Sequence, residues 1–255
     1  MKQKINFKEK FNKFTNYFSN IFFPRDVKCI FCSEELSNRA YNSTCEICYP
    51  ILPFINKSCP KCGGAITEEN SGVCIDCKIN NYSFTMALSV FEYINQPLNA
   101  IQKLKYNRKK YLAEPLGLYL AQRLSTENID IDYLTFVPIH EEKLKIRKFN
   151  QAELLAQEVS KLTNVPILPL CEKVVNTPSQ TELSFKERRA NVKDSFEFNK
   201  KYKSTIKGKN ILIIDDVFTT GATCDEVSSL LLKHGAKNCF VLTLAHVKVQ
   251  TILNN

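Results

Sequence analysis

The segment Ile211-Leu212-Ile213-Ile214-Asp215-Asp216-Val217-Phe218-Thr219-Thr220-Gly221-Ala222-Thr223 joins an aliphatic run to two acids and a cluster of hydroxyls. Four consecutive aliphatic residues predict a central strand over Asn210–Asp215, buried on both faces as in a parallel sheet covered by helices. Acids at the C-terminal end of such a strand fall where open α/β sheets bind ligands. Ribose hydroxyls, a Mg²⁺ ion and a solvated strand end are the three explanations for two carboxylates there. Thr219–Thr223 adds hydroxyls and successive amides, and Gly221 and Ala222 let the backbone close around a phosphate at the start of a helix. The segment has neither the Gly-Lys-Ser/Thr ending of a nucleotide P-loop nor a Gly-x-Gly-x-x-Gly. An anion nest for a phosphorylated sugar is the reading; an ordinary strand-to-helix loop is the bland alternative.

Outward from this segment, strand and helix patterns alternate from Asn80-Asn81 onward, as in a parallel sheet flanked by helices. Strands are expected over Phe84–Tyr93, Leu134–Ile139 and Lys237–Ala245. Helices are expected over Pro97–Tyr106, Tyr111–Leu124, Gln151–Leu162 and Gly221–His234, with Gly235 as the last helix's stop. The polar stretch from Val175 to Asn191, with Pro178, Arg188 and Arg189, reads as a long functional loop. The expected units are a basic amphipathic helix over residues 1–24, a cysteine module over 25–82 and an α/β domain over 83–255.

Eight of the eleven cysteines stand as four Cys-x-x-Cys pairs. Cys29, Cys32, Cys45 and Cys48 form one set with twelve residues between its pairs, and Cys59, Cys62, Cys74 and Cys77 a second with eleven. Each inner segment is long enough to return as a hairpin, so that four thiolates converge on Zn²⁺ in a closed structural site. Sequential pairing gives two zinc ions per chain; an interleaved cross-brace uses the same ligands, because spacing does not fix connectivity. Four sulfur ligands leave no open position for metal catalysis. With so few apolar residues in this stretch, metal is expected to replace hydrophobic burial. Cys171, Cys224 and Cys239 are isolated and read as small buried residues.

The chain carries a formal charge of +9, which favours an anionic partner: nucleic acid, an acidic membrane or a polyphosphate. Lys103, Lys105, Tyr106, Arg108, Lys109 and Lys110 form one basic cluster whose tyrosine offers a face to a base; a solvated helix end is the alternative. Lys143–Lys148 forms another. Phe7, Phe11, Phe14, Phe18, Ile21 and Phe22 make an aromatic stripe at helical spacing that faces a membrane surface, a partner or the protein's own core. The sequence shows no apolar run of the roughly 18 residues a spanning helix needs and no signal-peptide layout, so a cytoplasmic protein is expected.

Ile211–Thr223 resembles the phosphoribosyl pyrophosphate (PRPP) signature of type I phosphoribosyltransferases, hydrophobic residues followed by Asp-Asp-x-x-x-Thr-Gly-x-Thr. Val137-Pro138-Ile139-His140, Arg147-Lys148-Phe149-Asn150-Gln151-Ala152, Thr177-Pro178-Ser179-Gln180-Thr181 and Glu187-Arg188-Arg189-Ala190-Asn191-Val192, together with the cysteine module, resemble the ComF family, which includes ComFC proteins of DNA uptake. The resemblance runs from about Phe22 to Ala245. It implies a type I phosphoribosyltransferase fold, an open and mostly parallel sheet flanked by helices, with a small N-terminal double zinc ribbon. It also implies that Asp215 and Asp216 face ribose hydroxyls, that Thr219, Thr220, Gly221, Ala222 and Thr223 hold a 5′-phosphate, and that Mg²⁺ accompanies PRPP. Gln180 and Arg188 fall in a loop that resembles the one closing over substrate in amidophosphoribosyltransferases, which makes Asp215, Asp216 and Arg188 the catalytic candidates. In relatives a loop after an earlier strand accepts pyrophosphate. Here Glu141-Glu142 is an odd neighbour for that anion, and His140 is either part of the loop or a plain surface residue. Single-stranded DNA and a ComFA-like helicase are the implied partners. Three functions stay open: a DNA-uptake protein that binds PRPP, a phosphoribosyltransferase of nucleotide metabolism, and a silent PRPP-sensing regulator.

Overall fold

The alternation of aliphatic residues along Ile211–Ile214 sends Leu212 and Ile214 to one face of a sheet and Ile211 and Ile213 to the other, and all four are fully buried. The computed structural model describes residues 28–36, 41–67, 72–106, 109–176 and 192–247. The expected helix over residues 1–24, Arg108, Gln180, Arg188 and Arg189 lie outside the described residues.

Four parallel strands form the sheet: β1 (Met86–Glu92), β2 (Tyr133–Phe136), β5 (Asn210–Phe218) and β6 (Asn238–His246), in the order β1-β6-β5-β2. Helices α2 (Asn95–Tyr106), α3 (Ala113–Ser125) and α5 (Gln151–Thr163) alternate with the strands. They pack Ile101, Leu104, Leu116, Leu120, Leu155 and Val159 against the face bearing Leu212 and Ile214. Helix α6 (Ala222–Lys233) covers the opposite face through Val227 and Leu231. It is joined there by an antiparallel pair, β3 (Cys171–Lys173) and β4 (Phe196–Phe198), which flanks the polar segment. A short helix α1 (Ile75–Ile79) follows Cys74, and α4 (Glu141–Arg147) follows β2. Among the described residues no helix is long and apolar enough to cross a membrane.

Two features depart from the sequence expectation. Strand β5 continues through Val217 to Phe218, paired with β6 as far as Phe218↔His246, so the two acids lie inside the strand. Val217 and Phe218 are strand-forming residues that gain burial by staying extended. The cysteine segment is also more apolar in effect than its composition suggests. Ile30, Phe31 and Leu52 are buried in the same core as Leu88, Phe91 and Tyr119, and Cys59 and Cys62 join the core on the other face.

Phe91, wholly buried, stands in edge contact with Phe31 and Tyr119 and lies 4.9 Å from Phe54, centroid to centroid. We expect Phe91→Ala to destabilise the protein by about 3–5 kcal/mol, the range for a large aromatic lost from a packed core. Urea denaturation followed by circular dichroism checks this; a loss below about 1 kcal/mol would contradict a shared core.

Candidate functional site

Successive residues of a strand point to opposite faces, and Asp215 and Asp216 are therefore met by different elements. Asp216, 3% exposed, receives Lys105 from the last turn of α2, with Nζ 2.9 Å from Oδ1. Asp215 faces α6 and β3, where the Cys224 sulfur stands 4.0 Å from its Oδ2. The Asp216 amide donates to Asp215 Oδ1 at 2.8 Å. Burial, then the charge of Asp216, push the Asp215 carboxyl up to about 7; Lys105, the Asp216 amide and Lys173 only partly oppose this. Burial alone would depress the Lys105 ammonium, but Asp216 outweighs it and the pKa is raised. Lys173, on β3, is lowered to about 8 by burial and by Lys143, with Asp215 offsetting part of the effect. Burial and both acids push the Cys224 thiol far up, so it stays neutral.

The loop after β5 is held from outside. Gly221 has φ +73°, and a Cβ there would stand 2.4 Å from Phe218 Cζ and 2.9 Å from Tyr82 Cε1, so only glycine fits. The Tyr82 hydroxyl donates to the Thr220 carbonyl at 2.9 Å, and the Thr220 hydroxyl accepts from the Ala222 amide at 3.3 Å. Thr220 thus shapes the loop from within, at 2% exposure, whereas Thr219 and Thr223 are half-buried. The first turn of α6 begins at Ala222, where a helix N-terminus favours an anion.

Other expected residues are placed differently. His140 is the N-cap of α4, its Nδ1 accepting from the Glu142 amide, and Glu141 and Glu142 occupy the first turn where acids are favoured. That accounts for both acids without pyrophosphate. Lys105, grouped by sequence with the basic cluster, turns inward to Asp216 and is not presented to solvent with its neighbours. Tyr106 is 59% exposed, and the Arg147 guanidinium lies 5.0 Å over its ring, which brings the two basic stretches together. Lys110 lies 5.1 Å over Phe149. Lys103 and Lys109 are half-buried. Sequence reasoning did not place Lys105, Lys173, Cys224 and Tyr82 at the site. For Lys105 a signal existed: it falls four residues after Ile101 and one after Leu104, at the margin of the apolar face.

The cysteines resolve into two tetrads, Cys29/Cys32/Cys45/Cys48 and Cys59/Cys62/Cys74/Cys77, with sulfurs within 4.8 Å of one another in each. The pairing is sequential, not interleaved. Cys32–Cys45 and Cys62–Cys74 sulfurs are 3.7 Å apart, close to the roughly 3.8 Å edge of a tetrahedron with 2.3 Å metal–sulfur bonds. Amides of Cys45, Cys48 and Cys74 point at sulfurs, each at 3.4 Å. Burial would raise Cys29 and Cys59, but amides around each outweigh it and hold the thiols at about 7. This donor set suits a thiolate-bound divalent ion.

A family model described as a phosphoribosyl transferase domain matches residues 153–252. Competence protein F of Haemophilus influenzae is 30% identical over 228 residues, covering 86% of this chain and 97% of that protein. DNA utilization protein YhgH of Escherichia coli K12 is 27% identical over 198 residues, covering 75% and 85%. Competence protein ComFC of Bacillus subtilis is 24% identical over 201 residues, covering 74% and 79%.

The raised carboxyl has a consequence for stability. With it at about 7 in the folded state against an ordinary value of 3.8, Asp215 binds more protons folded than unfolded between those limits. Its contribution therefore falls as pH rises through about 4 to 7, and the full penalty stands above 7. Asp215→Asn is expected to stabilise the protein at pH 8 by on the order of 2 kcal/mol, a rise in Tm of roughly 4–8 °C. At pH 5 the gain should be much smaller. Thermal melts at both pH values check this, and an equal effect at each would contradict the raised carboxyl.

Proposed function

We propose, for a chain that belongs to the ComF family of competence proteins, that Asp215, Asp216 and the Thr219–Thr223 loop bind a phosphorylated ribose, with PRPP as the ligand that suits them best. The observation that carries this reading is the end of β5: two adjacent carboxylates stand two residues before a loop that begins at Thr219, takes φ +73° at Gly221 and leads into the N-terminus of α6. The carboxylates accept from a vicinal diol and the loop amides and hydroxyls receive the 5′-phosphate. Mg²⁺ would enter with the pyrophosphate of the ligand, because Lys105 already occupies one oxygen of Asp216. Phosphoribosyl transfer to an acceptor would need positioning and electrostatic stabilisation rather than a covalent nucleophile; Asp215, Asp216 and Arg188 are the residues proposed to serve it.

The relatives, a competence protein F, a DNA utilization protein and a ComFC, support a role in DNA uptake. Single-stranded DNA binding is the proposed second activity of the same chain. The exposed Tyr106 ring under Arg147, with Lys103, Lys109 and Lys110 on the same stretch, combines a stacking surface with phosphate-seeking cations. Zn²⁺ is the ion proposed for the two cysteine tetrads, in a structural role.

Calorimetry with Mg²⁺ and PRPP tests the main reading. Replacing both acids, Asp215→Ala with Asp216→Ala, should weaken binding by at least about 100-fold, as expected when two charge-assisted acceptors are removed together, and leave single-stranded DNA affinity within about threefold. Undiminished PRPP binding would reject the site. Tyr106→Ala with Lys109→Glu should weaken single-stranded DNA binding about tenfold or more and lower its salt dependence; an unchanged salt slope would reject that surface. Metal analysis of the purified protein should find about two Zn²⁺ per chain.

A further inference from the structure

The cation that touches the acidic pair comes from outside the matched transferase region. Lys105 lies in the last turn of α2, well before residue 153, where the family match begins. Ile101 and Leu104, both wholly buried, anchor that turn, and the lysine side chain is 18% exposed. Among the described residues it is the one cation in direct contact with Asp216. The second oxygen, Asp216 Oδ2, is buried and makes no hydrogen bond in the described structure. An ammonium in contact with a buried carboxylate offsets part of the cost of burying its charge. The other titratable groups around the pair are Tyr93 after β1, Lys173 on β3 with Lys143 behind it, and Cys224 and Asp225 on α6. Lys173 faces Asp215, on the opposite side of the strand.

We propose that Lys105 is a positioning residue of the sugar site: by holding Asp216 through Oδ1 it fixes that side chain and sets a positive charge beside the acidic pair that accepts from the hydroxyls of a ribose. The proposal rests on the phosphoribose reading and deepens it. Lys105 works through Asp216 and does not itself meet the phosphate. An uncharged side chain at position 105 would let Asp215 retain its proton to higher pH, since the Lys105 charge opposes that proton, and the diol would lose one acceptor. Arginine would keep the charge and the contact.

The test is PRPP binding, with Mg²⁺, measured by calorimetry between pH 6 and 9 on the full chain and on Lys105→Met, Lys105→Gln and Lys105→Arg. At pH 7 the Met and Gln variants should bind on the order of 30-fold more weakly, and the midpoint at which binding is lost on acidification should rise by about one pH unit. Lys105→Arg should restore affinity to within about threefold and return the midpoint to its original place. With Asp216→Asn already present, Lys105→Met should change affinity by less than about threefold, because the two residues then have nothing to couple. If wild-type protein binds PRPP while both neutral variants bind equally well with the same pH midpoint, the role of Lys105 is overturned and the phosphoribose reading stands. If the wild type binds neither PRPP nor ribose 5-phosphate, the phosphoribose reading fails and this role with it. A loss of affinity with an unmoved pH midpoint would mean simple structural damage and would also overturn the proposal.

Discussion

The free edge of β1 is the constraint on which the rest of the structure depends. In the order β1-β6-β5-β2 that strand is terminal, and a bare parallel edge is a template for unwanted pairing. The chain from Pro53 to Gly63, running from the first cysteine tetrad into the second, covers it. Ile55 donates to the Val90 carbonyl, Glu92 donates to the Pro53 carbonyl, and Ala87 donates to the Lys61 carbonyl, at 2.8–2.9 Å. Phe54 pairs antiparallel with Phe91. Gly63, at φ +72°, approaches so closely that a Cβ would stand 2.5 Å from the Ala87 carbonyl oxygen. The first tetrad precedes this covering segment, and the second begins within it at Cys59. Four-thiol clusters at its two ends hold an irregular segment in place where side-chain burial along so short a stretch would be marginal.

From that edge the order passes to the Thr219–Thr223 loop through aromatic rings. Phe84 and Tyr82, just after the second tetrad, stack with centroids 4.9 Å apart. Tyr82 also packs on Phe218, and Phe218 stacks on His246 at 4.7 Å. Burial lowers the His246 imidazole to about 4, with the Val247 carbonyl opposing only in part. It is therefore neutral at ordinary pH, and no charge is forced into the stack. Its ring also fills the space beside Gly64, where a Cβ would lie 2.7 Å from the imidazole. Tyr82 then fixes the Thr220 carbonyl, and Ser83 donates to Asp225 on α6. The cysteine module is thus part of the wall that shapes the loop, which a reading in separate units does not convey.

The legible part of the fold was the part governed by local pattern. Ile211–Ile214 announced the central strand because a run buried on both faces leaves few other options, and the Cys-x-x-Cys spacing announced the two tetrads because thiols must converge within a short hairpin. The loop was legible because Gly221 and its hydroxyl neighbours have local causes. Tertiary causes hid the rest. Val217 and Phe218 look like loop residues after two acids, and only the pairing of Phe218 with His246 keeps them extended. The β3–β4 pair joins residues far apart in sequence, and α4 is a short helix within a charged stretch whose cap, His140, is an uncommon capping residue. Lys105 was hidden by its neighbours: in a run of lysines the eye sees a surface, although the helical offset from Ile101 turns this one inward.

Adjacent acids on one strand cannot share a single counter-charge, and this explains the asymmetry of the site. Alternation sends Asp216 toward α2 and Asp215 toward α6 and β3. Asp216 meets its lysine at contact distance, whereas Asp215 has a neutral thiol at 4.0 Å and feels Lys173 without a contact pair. The closest positive charge to Asp215 is therefore spent on its neighbour, and burial dominates its proton affinity. Such a pair is a poor cage for a bare divalent ion, since one oxygen is already taken by an ammonium and one carboxyl retains a proton near neutrality. It is better matched to hydroxyl donors, which need acceptors in a fixed place and bring no charge of their own. For the proposed phosphoribose ligand, the sheet geometry that separates the two acids would favour a diol over a metal at this point of the strand and leave the phosphate charge to the loop beyond Phe218.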